Sequence, residues 1–91
     1  MVNSDKVTIR SLITQADYDA CVRLQREVWG SNFTSIVPPA ILHVTQEVGG
    51  VSAGAFDNNN GQLLGFVFGI SGVRDGKLAH WSDMLAVRQS A

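Results

Sequence analysis

The stretch Leu63-Leu64-Gly65-Phe66-Val67-Phe68-Gly69-Ile70 decides the fold of this 91-residue chain, because it carries no polar side chain. If this stretch is extended, its side chains alternate between two faces. One face then carries Leu64, Phe66, Phe68 and Ile70, and the other carries Leu63 and Val67. A strand that is apolar on both faces is typical of the centre of a sheet that is covered on both sides. We expect its antiparallel partner in the stretch Leu78-Ala79-His80-Trp81-Ser82-Asp83-Met84-Leu85-Ala86-Val87.

Composition limits the class of protein. The chain is 45% hydrophobic, which indicates a globular domain, and its low charged share of 16% indicates a surface that further protein covers. Its seven basic residues are scattered and its formal net charge is −1, so no nucleic-acid surface is predicted. No apolar run approaches the roughly 20 residues that a membrane-spanning helix needs. We therefore expect neither a nucleic-acid nor a membrane partner.

The single cysteine bears on the compartment and on metal binding. Cys21 has no partner for an internal disulfide, and the amino terminus shows no secretory signal pattern, so a reducing, cytoplasmic location is predicted. Cys21 falls on the apolar stripe of a predicted helix, where a thiol behaves as a small hydrophobic side chain rather than as a nucleophile. One cysteine and two histidines at no recognised spacing predict no metal site.

Helix ends are marked by local signals. Thr14 followed by Asp17 is typical of a helix start, since the hydroxyl accepts a first-turn N–H and the carboxylate is favourable near the positive end. Side chains at helical spacing after it are expected to face the core. They are Tyr18, Cys21, Val22, Gln25, Val28 and Trp29. Pro39 suits the first position of a second helix, and Gly49-Gly50 suits a left-handed cap.

These signals give the order β-α-α-β-β-β and an α+β fold, a mostly antiparallel sheet with two helices. We predict strands over about residues 7–13, 51–57, 63–71 and 78–87, and helices over about 15–29 and 39–48. A turn is predicted over residues 72–77, with Gly69, Gly72 and Gly76 as turn glycines. Trp29 and Trp81 are predicted to be packing residues rather than platforms for a ligand.

This order of elements resembles the first half of the GNAT superfamily of acyl-CoA-dependent N-acyltransferases. Local motifs resemble one bacterial and archaeal subgroup of predicted acetyltransferases. They read Arg26-Glu27-Val28-Trp29-Gly30, Val37-Pro38-Pro39, Gly49-Gly50 with Gly54-Ala55-Phe56-Asp57, Leu64-Gly65-Phe66, Arg74-Asp75-Gly76 and Met84-Leu85-Ala86-Val87. The resemblance runs from about Ile9 to Val87. It implies a truncated GNAT fold in which residues 1–91 are the amino-terminal part of a single domain.

The resemblance implies transfer of an acetyl group from acetyl-CoA to an amine. In the family, backbone groups of the fourth strand contact the pantetheine arm and polarise the thioester carbonyl, and the matching residues here are Leu85, Ala86 and Val87. A Gly-rich loop that holds the coenzyme A pyrophosphate at a helix N-terminus follows that strand in the family. Here Val87 is followed only by Arg88-Gln89-Ser90-Ala91. We therefore expect weak or no binding of acetyl-CoA, and a chain that is inactive or incomplete by itself.

Acyl transfer also needs an acceptor for the proton of the amine. The predicted catalytic residues are His80 and Asp83 on the last strand, where Ser82 shares a face with His80. Imidazole titrates near neutral pH and suits a base, whereas the alternative for His80 is a hydrogen-bonded strand histidine. Glu47 near a helix end is a further candidate. His43 on the second helix either borders an acceptor cleft or is solvated.

A non-catalytic function is the alternative, in which a small α+β domain binds a partner through its open sheet. The two functions share one expectation. Two helices cover about one face of the sheet, so the chain should leave an apolar surface and an open strand edge. We expect a dimer or higher oligomer in which another copy of the chain covers that surface.

Overall fold

A computed structural model describes residues 6–88 as a four-stranded antiparallel sheet with two helices. The elements are β1 (Val7–Ser11), α1 (Gln15–Trp29), α2 (Pro39–Glu47), β2 (Val51–Asp57), β3 (Leu63–Arg74) and β4 (Lys77–Val87). The strands lie in the order β1-β2-β3-β4, so β3 is paired on both edges. The predicted α+β fold class and the predicted order of elements are confirmed.

The turn between β3 and β4 is shorter than the sequence analysis predicted. Asp75 and Gly76 form it alone, with φ values of 52° and 76°, and Arg74 pairs with Lys77. Two central residues with positive φ give the hairpin turn whose twist matches that of paired strands, and Asp-Gly is a preferred sequence for it. The assignment of Gly69 and Gly72 to a turn is therefore wrong, because both lie within β3.

Helix α1 begins with the predicted cap. Thr14 accepts a hydrogen bond from the backbone N–H of Asp17, and the Asp17 carboxylate accepts one from the backbone N–H of Thr14. The same carboxylate also accepts two hydrogen bonds from Arg10 of β1, at 2.7 and 3.1 Å. The capping residue thereby attaches the start of α1 to the edge strand of the sheet.

Both helices pack on one face of the sheet, which we call the covered face. Its core consists of Leu12, Tyr18, Cys21, Leu24, Val37, Leu42, Phe56, Leu63, Phe66, Phe68 and Ala86. Gln25 is fully buried among them, and its side-chain amide exchanges hydrogen bonds of 2.8 and 3.0 Å with the backbone of Val37. This pairing satisfies the polar groups that the loop between the helices brings into the core. Val28 and Trp29, which were predicted to face the core, are partly exposed.

A bulge in β3 changes the predicted face of Leu63. Ala55 pairs with Gly65 and Phe56 pairs with Leu63, so Leu64 is the extra residue on β3. A bulge shifts the alternation by one residue, and Leu63 therefore joins the covered face beside Gly54. The prediction that Leu63 and Val67 share a face is wrong for this reason.

The opposite face, which we call the open face, carries no helix of residues 6–88. The large apolar side chains exposed on it are Ile9, Val51, Val67, Leu85 and Val87. The prediction that the central strand is covered on both faces is therefore wrong for this part of the chain. The expectation that the two helices cover one face is confirmed.

The distal part of the β3–β4 hairpin extends past the helices. Ile70 and Trp81 are paired across the strands, as are Val73 and Leu78, and all four side chains are exposed. Trp81 is 67% exposed, so its predicted packing role is wrong. Trp29 does pack, with its ring centroid 5.3 Å from that of Phe33.

Candidate functional site

An apolar groove runs across the middle of the open face. Its volume is about 180 Å³, and it crosses all four strands. Its lining residues are Ile9, Ala53, Gly54, Ala55, Gly65, Phe66, Val67, Leu85, Ala86 and Val87. Over β2 the groove is bounded only by small residues, because that strand carries alanine and glycine at these positions. The small residues of Val51–Asp57 therefore leave room beside the central strand.

The three residues predicted to contact a cofactor all line this groove. Leu85 and Val87 present their side chains on the open face, whereas the side chain of Ala86 is buried on the covered face. Their strand, β4, is the outer strand of the sheet formed by residues 6–88. Within these residues, the outer backbone edge of β4 therefore faces no other strand.

Asp83 occupies a bulge in β4. Phe68 pairs with Met84 and Gly69 pairs with Ser82, which leaves Asp83 without an opposite residue on β3. A bulge interrupts the ladder of hydrogen bonds and redirects the neighbouring side chains, and bulges occur often beside active sites. This one separates His80 and Ser82 from the groove residues of β4. The Asp83 side chain itself is exposed.

His80 lies on the open face and is held by a chain of two hydrogen bonds. Its Nδ1 lies 3.1 Å from the hydroxyl of Ser71, the residue opposite on β3. The Ser71 hydroxyl donates to the carbonyl oxygen of Gly49 at 3.0 Å. The imidazole ring leans over Gly69, where a Cβ atom would lie 2.5 Å from Nε2. Gly69 is two residues from Val67 of the groove, about 7 Å along a strand.

The predicted catalytic residues are thus placed differently from one another. The register puts His80 and Ser82 on the open face, on the same side of the sheet as the groove. Asp83 sits in the bulge between them and the groove, and among residues 6–88 no hydrogen bond joins its carboxylate to His80. The arrangement therefore offers one histidine held beside an apolar groove, and one exposed carboxylate nearby.

His43 and Glu47 are remote from this groove, because α2 packs on the covered face. The His43 Nδ1 lies 3.2 Å from the Tyr18 hydroxyl, which also accepts from Gln46 at 3.2 Å. The His43 Nε2 lies 3.8 Å from the Glu47 carboxylate. A separate cleft of about 510 Å³ lies beside Tyr18 and His43. The sheet stands between these two residues and His80.

Two further features do not form a reactive site. Burial raises the pKa of the Cys21 thiol to about 11, so the side chain is a core residue in the protonated form. A cleft of about 520 Å³ lies between α1 and β3, where Arg88 is paired with Glu27 and also donates to the carbonyl oxygen of Leu63. Within residues 6–88, no three His, Cys, Asp or Glu side chains are grouped to hold a metal ion.

Sequence reasoning missed Ser71 and Gly69, although a signal for them was present. Arg74 and Lys77 flank the two-residue Asp-Gly turn, and counting three residues back along each strand places Ser71 opposite His80. Recognising that turn type would have predicted the pair. The bulge at Asp83 carries no comparable sequence signal.

Comparisons with known proteins give no further identification: no protein-family model, curated protein or solved structure matches this chain. The resemblance to the GNAT superfamily therefore stays a prediction from its motifs. No helix within residues 6–88 has the length and apolar character to span a bilayer.

Proposed function

We propose that the protein is a GNAT-type acyltransferase domain, in which the open face receives the acyl end of acetyl-CoA and His80 accepts the proton of an amine. The observation that supports this proposal is the position of His80 on the same face as the apolar groove. The groove residues Leu85, Ala86 and Val87 are those that the family resemblance assigns to the pantetheine arm.

The shape of the groove supports a narrow ligand. About 180 Å³ is less than the roughly 300–1,000 Å³ of typical sites for drug-sized molecules, so a linear thioester arm suits it better than a ring system. The outer edge of β4 offers backbone donors and acceptors within residues 6–88. An extended ligand with amide groups is recognised by such an edge much as an added strand is. The pantetheine arm carries two amides and meets this requirement.

The reaction requires one proton acceptor and one polarised carbonyl. The amine nitrogen attacks the thioester carbonyl carbon, a C–N bond forms, and the C–S bond breaks as coenzyme A leaves as a thiolate. His80 takes the proton from the amine nitrogen and returns it to the thiolate sulfur. Backbone groups at the Asp83 bulge and along Leu85–Val87 polarise the carbonyl. Asp83 is the alternative acceptor of the proton from the amine.

The groove is tested with S-acetylpantetheine, which carries the arm and the thioester but lacks the pyrophosphate. This probe measures the contacts of the arm and the thioester alone, without any contribution from pyrophosphate binding. We expect amide resonances of Leu85, Ala86 and Val87 to shift on titration. Ala55→Leu fills the groove from β2, and we expect it to weaken binding about 10-fold. Ala40→Leu on α2 is the matched control.

Two outcomes would contradict the proposal. One is an absence of shifts in β4 at millimolar S-acetylpantetheine. The other is equal binding by the Ala55→Leu and Ala40→Leu variants, because the groove would then not be the binding site. Transfer to a generic amine, followed by thiol release, then tests the chemistry. His80→Gln should reduce the rate at least 100-fold, since general-base catalysis contributes on the order of 10² to 10⁴.

A second candidate is non-catalytic self-association, in which a second copy of the chain covers the open face. The exposed apolar residues of that face favour it, as does the unpaired edge of β4 within residues 6–88. Sedimentation at micromolar concentration should then show a dimer or higher oligomer. Leu85→Lys should return it to a monomer, whereas Val48→Lys, at the exposed end of α2, should not. A monomeric parent chain that binds no apolar dye would exclude this function.

We also propose a cytoplasmic location. Cys21 is a buried free thiol, and it is the single cysteine of the sequence. A chain without a disulfide suits a reducing compartment. Expression of a tagged chain in cells, followed by fractionation, checks this. Recovery in an extracytoplasmic fraction would contradict it.

A further inference from the structure

We infer that Ser71 and Gly69 are positioning residues that fix His80 as the Nδ1–H tautomer and keep a lone pair on Nε2 above the open face. The inference rests on hydrogen-bond geometry and on the space over Gly69. The tautomer of His80 does not depend on the proposed acyltransferase function, but the catalytic role given to that tautomer rests on it.

The first step concerns the single hydrogen of the Ser71 hydroxyl. That hydrogen is used in the 3.0 Å bond to the carbonyl oxygen of Gly49, which is an acceptor only. The Ser71 oxygen must therefore accept in its 3.1 Å contact with His80, and Nδ1 must donate. A neutral imidazole has one N–H, so Nε2 then carries a lone pair.

The second step concerns the direction of the Ser71 hydroxyl. Gly49 follows α2 with φ of 97°, a backbone conformation that suits glycine, and the N–H of Gly49 donates to the carbonyl oxygen of Gln46. The carbonyl oxygen of Gly49 is thus fixed by the end of a helix. Because the Gly49 oxygen is fixed, the hydrogen bond to it orients the Ser71 hydroxyl, and the contact with Ser71 in turn orients the imidazole ring of His80.

The third step concerns the absence of a side chain at Gly69. A Cβ there would lie 2.5 Å from Nε2 and 2.6 Å from Cε1 of His80, so the ring occupies the space that any other residue would need. Glycine inside a strand weakens it, and such a glycine often marks a close approach by another group. Here the approaching group is the distal edge of the imidazole, on the side of His80 nearer to the groove.

Together these contacts keep an unprotonated nitrogen on the open face, where the proposed reaction would use it as the proton acceptor. A base held in one tautomer requires no reorganisation before it accepts a proton. In the opposite tautomer Nε2 would carry the hydrogen and could not accept. Ser71 and Gly69 therefore determine whether His80 is competent, although neither is expected to touch the substrate.

The test is to record the ring ¹⁵N resonances of His80 in the ligand-free protein at a pH where the imidazole is neutral. We expect Nδ1 to be protonated and Nε2 to be unprotonated. Ser71→Ala removes the acceptor and should abolish the Nδ1–H preference, whereas Ser71→Thr keeps a hydroxyl and should restore it. Gly69→Ala should displace the ring, and Gly72→Ala, with open space around its Cβ, is the matched control on the same strand.

Protonated Nε2 in the parent protein, or an unchanged tautomer in Ser71→Ala, would overturn the inference. The outcome is independent of whether acyl transfer occurs. If the Nδ1–H tautomer is found but His80→Gln leaves amine acetylation unchanged, the positioning inference stands and the proposed function fails. If acyl transfer depends on His80 but the tautomer of His80 does not depend on Ser71, the proposed function stands and the positioning inference fails.

Discussion

The two faces of the sheet are formed by the same strands, but the side chains on one face are buried and those on the other are exposed. On β3, Phe66 and Phe68 are buried under the helices, whereas Val67 between them is exposed on the open face. On β4, Ala86 is buried and its neighbours Leu85 and Val87 are exposed. Because strand side chains alternate, every second residue contributes to the core and the others form a separate apolar surface. Folding of residues 6–88 accounts for the first set but not for the second.

This difference indicates where to look for function. Removing apolar surface from water contributes roughly 25 cal/mol per Å², so a side chain that stays exposed contributes little to the stability of the monomer. Burial in the monomer therefore does not account for the apolar side chains of Leu85 and Val87, whereas a ligand or a partner on the open face, as proposed above, would. The groove that they line and the position of His80 on the same face agree with that interpretation.

The largest expected effect comes from deleting matched leucines on the two faces. Leu63 is 3% exposed on the covered face, and Leu85 is 68% exposed on the open face. Leu63→Ala should lower the free energy of unfolding by about 2–5 kcal/mol, because it leaves a cavity in the core. Leu85→Ala should change it by less than about 0.5 kcal/mol. Urea denaturation monitored by tryptophan fluorescence measures both.

The same pair of variants also tests whether the open face is exposed in solution. If Leu85→Ala costs as much as Leu63→Ala in dilute solution, then the open face is covered in the folded protein. Repeating the measurement over a range of protein concentrations identifies the cause. Stability that rises with concentration indicates a second copy of the chain, since association stabilises by mass action.

Residues differ in how far the sequence alone could place them. The caps at Thr14 and Gly49, and Pro39 at the start of α2, are local signals, and the predicted helices agree with the structure to within one residue. Gln25 was placed on the correct stripe by spacing alone. These features depend on contacts within a few positions along the chain, so a pattern of residues is enough to predict them.

Other features depend on pairing between strands, which the sequence pattern does not state. The bulge at Leu64 reversed the face predicted for Leu63, because alternation was counted through an irregular position. The bulge at Asp83 likewise arises from pairing between strands, so the alternation along β4 does not predict it. The contact of Ser71 with His80 follows from the register of the hairpin and required the correct turn type. The candidate site was therefore predictable as a set of strand residues but not as a geometry.

A smaller effect is expected at the junction of β1 and α1, at the end of the covered face. Hydrogen bonds from Arg10, together with those from the backbone N–H groups of Ile13 and Thr14, lower the pKa of Asp17 to about 2. The folded-state pKa lies below the unfolded value near 3.8, so the unfolded chain binds more protons between these two values. Stability from this carboxylate is thus complete above about pH 4 and is lost as the pH falls toward 2.

Asp17→Asn tests this linkage. At about 1.4 kcal/mol per pKa unit, the variant should be less stable by about 2 kcal/mol at pH 7, and most of the difference should disappear by pH 2. Asp19→Asn, on the same helix and hydrogen-bonded within residues 6–88 only to Gln15, should change stability at pH 7 by less than about 0.5 kcal/mol. A difference between Asp17→Asn and the parent protein that stays constant from pH 7 to pH 2 would contradict the assignment.

The smallest expected effects are in the distal hairpin, which neither helix covers and where backbone conformation outweighs packing. Gly72 and Gly76 both have open space around the position of a Cβ, but only Gly76 has positive φ, at 76°. Gly72→Ala should stabilise the protein by about 0.5–1 kcal/mol, since it restricts the unfolded chain without a clash. Gly76→Ala should destabilise it by about 1–2 kcal/mol, because an L-residue is strained there. Thermal unfolding of the two variants isolates the effect of φ, and equal effects would show that other contacts limit this hairpin.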